Sequence, residues 1–300
     1  MSEAALRVSH LYFKRRLPKQ EIAARLGISR FKVARLIDQA LAEGLVRIDV
    51  REPIPLAAEL GRRLEHERRL ELALVVRPPH DLDPVEAVAR VAASWLPGLI
   101  RPDDVLGVAW GSTIQQVVRN LGEAPAVPVV QICGAVAGVE SGEGPHELAW
   151  QLAERLGGLF YPLPVPALVA TSAARDEMLR NAAVAPTVAM FDRVTLALVG
   201  IGSLEGDGRS ALLTSGALGR RDVPTGAVGD ILFHVFDAEG RLLETPLSER
   251  AVQLTAGQLR RARVLAVAGG PGKAAAIRGA LRTGLVDVLV TDEENAEAAL

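Results

Sequence analysis

Residues 18–50 read PKQEIAARLGISRFKVARLIDQALAEGLVRIDV, and the spacing of apolar residues, glycines and one serine specifies two helices joined by a tight turn. Pro18 opens a helix over Lys19–Leu26 as a proline at the first helical position, with Ile22, Ala23 and Leu26 as its apolar stripe. In Gly27-Ile28-Ser29, the glycine permits a left-handed turn, Ile28 plugs the core and Ser29 caps the next helix. That helix runs from about Arg30 to Glu43. Val33, Leu36, Ile37, Ala40 and Leu41 recur at helical spacing. At about 100° per residue the opposite face carries Phe31, Lys32, Arg35, Asp38 and Gln39. Gly44 ends the helix, and Leu45–Val50 alternates apolar and polar as a strand or wing, with Arg47 placed to touch a phosphate. Upstream, Glu3–Arg16 is expected as a helix closed by Lys14-Arg15-Arg16, where cations suit the dipole.

A recognition helix offers a surface of this kind to a major groove, its N-terminal residues nearest the bases. Ser29, Arg30, Phe31, Lys32 and Arg35 are therefore the candidate DNA contacts. Which of them read bases and which hold phosphates stays open. A three-helix bundle with a solvated basic face is the alternative. The combination of short helix, glycine turn, capped helix with outward cations and wing favours DNA. Charge points the same way: residues 1–51 hold eleven Lys and Arg against five Asp and Glu, a net +6. The whole chain is −2, so the remainder carries −8. A basic head on an acidic body outlines a nucleic-acid reader joined to something else.

The chain has 300 residues, 49% of them hydrophobic and only 4% aromatic, which suits two domains and excludes a disordered or collagen-like chain. Pro53-Ile54-Pro55 marks the boundary, giving domains over 1–52 and 53–300. Leu56–Leu70 is expected as a helix with Leu56, Leu60 and Leu64 at four-residue steps: a connecting helix, a dimer contact or a plain surface helix. Cys133 is the only cysteine, so no intrachain disulfide forms, and the residue is expected as a small buried hydrophobe rather than a reactive thiol. No apolar run approaches the ~18 residues of a membrane span. The start, Met1-Ser2-Glu3-Ala4, lacks the blocks of a secretory signal. A soluble cytoplasmic protein is expected.

Beyond residue 70 strands and helices alternate. Strands are expected over Leu72–Val76, Val105–Trp110, Val127–Cys133, Thr195–Ile201, Arg263–Ala268 and Val286–Thr291. Helices are expected over Pro84–Leu96, from Ser112 to Leu121, from about His146 to Leu156, from Lys273 to Arg282 and after Asp292-Glu293. This pattern predicts an α/β doubly wound, mostly parallel sheet with helices on both faces. Ligands in such sheets bind beyond the carboxyl ends of the strands. There, Gly111-Ser112-Thr113 offers two hydroxyls at a helix N-terminus suited to a phosphate. Gly269-Gly270-Pro271-Gly272-Lys273 offers an ammonium, and Asp230 and Asp292 offer carboxylates for sugar hydroxyls. Each piece alone has a plain structural alternative: a turn, a solvated lysine, a helix cap. The five histidines lack metal spacing, and neither glycine turn is a Walker or GxGxxG motif. Neither a metal nor a cofactor is expected.

Taken together, the head and the body segments VLGVAWGSTIQQVV, VPVVQICGAV, GGLFYPLPVPALVA, LALVGIGS, TGAVGDILFHVFDAEG and VLAVAGGPGKAAAIRGALRTGLVDVLVTDE resemble the SorC family of bacterial transcriptional regulators, sometimes grouped with DeoR-type regulators. The resemblance implies a winged helix-turn-helix head and an effector-binding body similar to ribose-5-phosphate isomerase and glucosamine-6-phosphate deaminase. It further implies a sugar or sugar-phosphate effector and a homo-oligomer, dimer or tetramer, on double-stranded operator DNA. It places the phosphate loop on Gly111, Ser112 and Thr113, and effector contacts on Asp230, Lys273 and Asp292. Family members often carry Arg after the loop glycine, where this chain has Ser112. The expected function is thus a sugar-responsive transcriptional regulator and not an enzyme. The rivals are a sugar-phosphate isomerase or deaminase with an appended head, whose carboxylate and lysine would serve enolisation, and a DNA-organising protein with a structural body.

Overall fold

The computed structural model describes residues 3–46, 53–136, 144–205 and 210–300. The chain divides into two compact units, Met1–Pro53 and Ile54–Leu300.

In the first unit, α1 (Glu3–Ser9) runs on as a π-helical turn over His10–Lys14, then come α2 (Lys19–Leu26) and α3 (Arg30–Ala42). Pro18 is not the first helical residue. It stands before α2 in extended conformation, φ −60° and ψ 145°, where its carbonyl accepts the Ile22 N–H and so starts the helix. Gly27 takes the left-handed conformation at φ 64°. The Ser29 hydroxyl accepts the Lys32 N–H at 3.1 Å, satisfying one of the orphan donors of α3. Val8, Ile22, Val33, Leu36, Ile37 and Ala40 close a small core, with Ile28 packed at its edge. The wing expected over Leu45–Val50 lies, past Val46, outside the described residues, and Arg47 with it.

The second unit opens with α4 (Ala58–Arg68), β1 (Leu72–Val76), α5 (Pro84–Leu99), β2 (Leu106–Val108) and α6 (Ser112–Asn120). It continues with β3 (Val129–Gln131), α7 (Pro145–Leu156), β4 (Phe160–Tyr161), α8 (Ser172–Arg180), α9 (Ala185–Phe191), β5 (Leu196–Gly200) and β6 (Gly202–Ser203). Then follow α10 (Ala211–Thr214), β7 (Ala227–Ile231), β8 (His234–Asp237), α11 (Ala256–Leu259), β9 (Arg263–Val267), α12 (Ala274–Arg282), β10 (Val288–Asp292) and α13 (Glu293–Ala299). Seven strands form one sheet in the order β1-β10-β9-β5-β2-β3-β4, every pairing parallel. Helices cover a parallel sheet of this kind on both faces, which is why β2, β3 and β10 are buried throughout, including Gln131, Thr291 and Asp292 at their carboxyl ends. From β2 the chain steps outward through β3 and β4. It then returns to pair β5 with the other side of β2 and continues the opposite way through β9 and β10. That reversal leaves a crevice at the carboxyl ends of β2 and β5.

Three features depart from the sequence expectation. Leu56 is not helical: it bridges Val76 at the sheet edge, and only Leu60 and Leu64 of the leucine stripe are buried in α4. That helix lies on β1 so closely that a Cβ at Gly61 would sit 2.5 Å from the Ala73 carbonyl oxygen. Next, α5 continues through Pro97 to Leu99, although the proline has no N–H to offer the Ala93 carbonyl one turn back. Finally, β6, β7 and β8 make a separate antiparallel sheet, with β7 and β8 joined through Leu232-Phe233. Among the described residues no helix is long and apolar enough to cross a membrane. Cys133 is wholly buried, and burial pushes its thiol pKa well up.

Candidate functional site

A cavity of about 460 Å³ opens at the reversal point of the sheet. The residues following β2 (109–115), the junction from the end of β5 to the start of β6 (200–202), the last residue of β9 and Lys273 all line it. Asp230 of β7, Leu232 of the hairpin turn and the α10 segment complete the wall. The structure thus gathers Gly111, Ser112, Thr113, Asp230 and Lys273 into one cavity although they span more than half of the sequence.

Gly111 precedes α6 at φ 141° and ψ 155°, a conformation essentially reserved for glycine. It turns the chain sharply from strand to helix and points the first turn of α6 at the cavity. Among the described residues no side chain caps α6, so its leading N–H groups and the positive end of its dipole face the space that Ser112 and Thr113 border. On another wall, the Lys273 ammonium donates to the Ile201 carbonyl at 2.7 Å, at the end of β5. Asp230 accepts the Ser210 hydroxyl proton and is only 4% exposed. Burial raises its pKa to about 6, against the partial relief of the Ser210 hydrogen bond and the Lys273 charge. Gly202 lies directly beneath this carboxylate: a Cβ there would stand 2.1 Å from Oδ1, so the backbone can pass only without a side chain.

Asp292 does not join them. It is absent from the cavity wall, and its oxygens are engaged elsewhere. One accepts the Asn295 N–H at 3.0 Å, capping α13. The other accepts the Gly270 N–H at 2.8 Å. Asn295 in turn donates to the Gly270 carbonyl at 2.8 Å and to both oxygens of Asp292. This buried clamp fixes the glycine-rich loop that delivers Lys273. Asp292 is thereby a positioning residue for the lysine, and Asn295 its unforeseen partner. Ser210 carries no motif in the sequence. Trp110, beside the loop glycine, and Gly202, within LALVGIGS, both line the cavity from segments that the sequence marks.

In the first unit, Ser29, Arg30, Phe31, Lys32 and Arg35 are all exposed on the N-terminal half of α3, Phe31 at 89%. The Ser29 hydroxyl serves as the helix cap. Among the described residues no cluster of His, Cys, Asp or Glu suits a metal ion.

Comparison with known proteins gives these features a setting. Residues 52–300 match the family described as "Putative sugar-binding domain". The chain is 30% identical to the erythritol catabolism regulatory protein EryD of Brucella abortus, over 99% of this chain and 96% of that one. It is 27% identical to the deoxyribonucleoside regulator of Bacillus subtilis, over 99% and 96%. The crystal structure of the full-length sorbitol operon regulator SorC from Klebsiella pneumoniae superposes with a TM-score of 0.76 at 26% identity, covering 100% of this chain and 99% of that one.

Proposed function

Because the chain belongs to the SorC family of sugar-binding transcriptional regulators, we propose that it binds operator DNA through α3 and releases or engages it in response to a sugar or sugar phosphate. The observation that carries this reading is the cavity that gathers Gly111-Ser112-Thr113, Asp230 and Lys273. Its volume suits a small ligand. The amide and hydroxyl end of α6 is suited to a phosphate or a hydroxyl cluster. Asp230 and Lys273 supply an acceptor and a donor for sugar hydroxyls, and relatives named for erythritol, sorbitol and deoxyribonucleosides support an effector of that class. Asp292 acts on the effector through Lys273. In the head, Arg30, Phe31, Lys32 and Arg35 form the groove-facing surface, with the segment after Gly44 as a wing. A cytoplasmic homo-oligomer, dimer or tetramer, presents two such heads to a symmetric operator, and effector binding shifts the balance of its conformations. No cofactor is required.

The body's likeness to ribose-5-phosphate isomerase and glucosamine-6-phosphate deaminase is read as shared architecture without turnover. The test is a thermal-shift screen of sugars, polyols and their phosphates, since a ligand of the folded state raises stability by mass action. Hits then go to operator-release assays. Ribose 5-phosphate and glucosamine 6-phosphate are also followed for conversion. Stabilisation and altered operator affinity without product are expected. Catalytic turnover would instead place the protein with the enzymes.

A further inference from the structure

Phe31 is the most exposed large hydrophobic side chain among the described residues, at 89%. It is the second residue of α3, at the end of the helix that a recognition helix turns toward base edges. Exposed cations surround it: Arg30 and Lys32 in sequence and Arg35 one turn on. A bare phenyl ring is unfavourable in water, and a ring ringed by cations suits a polyanion better than an apolar protein face. The ring has no hydrogen-bond donor or acceptor, so it cannot read the polar pattern of a base edge. One apolar group projects into the major groove, the 5-methyl of thymine.

We propose that Phe31 reads a thymine methyl in each operator half-site, packing on it while the flanking cations hold phosphates. This rests on the DNA-binding reading above. It assigns Phe31 to sequence specificity and the cations to affinity, which the sequence left open.

The test uses the full-length protein. Duplexes are first selected from a randomised library. Each thymine of the selected sequence is then replaced singly by deoxyuridine, which removes the methyl and nothing else. One replacement per half-site is expected to weaken wild-type binding about fourfold, the factor for burying one methylene-sized group. Phe31→Ala is expected to bind the thymine duplex correspondingly less well, to ignore the replacement, and to keep the wild-type salt dependence. Lys32→Ala is expected to keep the methyl sensitivity and to lower the slope of log affinity against log salt by about one. The proposal is overturned if no replacement matters, or if Phe31→Ala keeps the same deoxyuridine penalty. It is equally overturned if Phe31→Ala changes only the oligomeric mass. Selection of no duplex at all by the wild type would overturn the DNA-binding reading itself, a distinguishable result.

Discussion

On α3 of the first unit, Arg30, Phe31, Lys32 and Arg35 all stand in solvent, whereas in the second unit Asp230 and Lys273 are 4% and 8% exposed. The contrast sets what each surface owes to folding. An exposed cation is solvated whether or not its partner is present, so it contributes to binding and almost nothing to stability. A buried carboxylate and ammonium must be satisfied in the empty state as well. Ser210, Gly202 and the Ile201 carbonyl are arranged around them for that purpose. Changes in the cavity should therefore alter stability and ligand response together, and changes on α3 should alter DNA binding alone. All three tryptophans, at 95, 110 and 150, lie in the second unit, so tryptophan fluorescence follows its unfolding separately.

Asp230→Asn breaks the contrast most strongly. The folded-state pKa of Asp230, about 6, lies above its ordinary 3.8, so the folded protein binds this proton more tightly than the unfolded chain. Its contribution to stability is fully present below about pH 4 and is lost as pH rises through 6. The loss amounts to about 3 kcal/mol. The asparagine does not titrate, so the variant should gain up to about 3 kcal/mol over wild type between pH 4 and pH 8 in urea unfolding, while losing effector response. A pH-independent difference would refute the buried-carboxylate account. A gain in stability with a loss of function is the signature of a residue kept for its ligand.

Lys273→Met comes next. It removes the ammonium donor from the Ile201 carbonyl, leaving a buried acceptor unpaired, for roughly 1–3 kcal/mol. It also removes the positive charge that lowers the Asp230 pKa. The stability of this variant should therefore fall with pH over a window that starts at the same pH as in wild type and extends higher, measured by the same unfolding series. Gly111→Ala should cost at least about 1 kcal/mol. The added methyl meets nothing within 4 Å, so the whole effect arises from forcing φ 141° on an L residue. The accompanying shift of the α6 amides should weaken the effector, as titration calorimetry would show.

The same contrast governs what could be read before the structure. In the head the cues are local: a glycine turn, a capping serine and helical spacing all fall between Gly27 and Leu41. In the body, apolar runs announced the strands, and glycine turns after them announced Gly111-Ser112-Thr113 and Lys273. Strand order was hidden, because pairing joins segments as distant as β1 and β10. The β7–β8 hairpin was hidden because its turn is Leu232-Phe233, with Leu232 at φ 57°, rather than the Asn-Gly type that marks such turns. Ser210 had no local sign, because it meets Asp230 20 residues away, and Asn295 showed only its three-residue spacing from Asp292, not its bond to Gly270 25 residues away. Asp292 was visible as a helix cap, but its hold on the Lys273 loop was not.

The smallest effects on folding belong to the head, and they sharpen the contrast by their absence. Arg30→Ala, Lys32→Ala and Arg35→Ala each remove an exposed side chain from α3. Circular dichroism should place each within about 0.5 kcal/mol of wild type, and the tryptophan transition should not move. Operator affinity should fall all the same. For each cation that holds a phosphate, the slope of log affinity against log salt should shrink by about one, uniformly across sequences. A cation that reads a base should instead relax sequence preference at one position with little change in slope. A measurable loss of stability in any of the three would mean that α3 is held by its charges, and the separation between the two units would not stand.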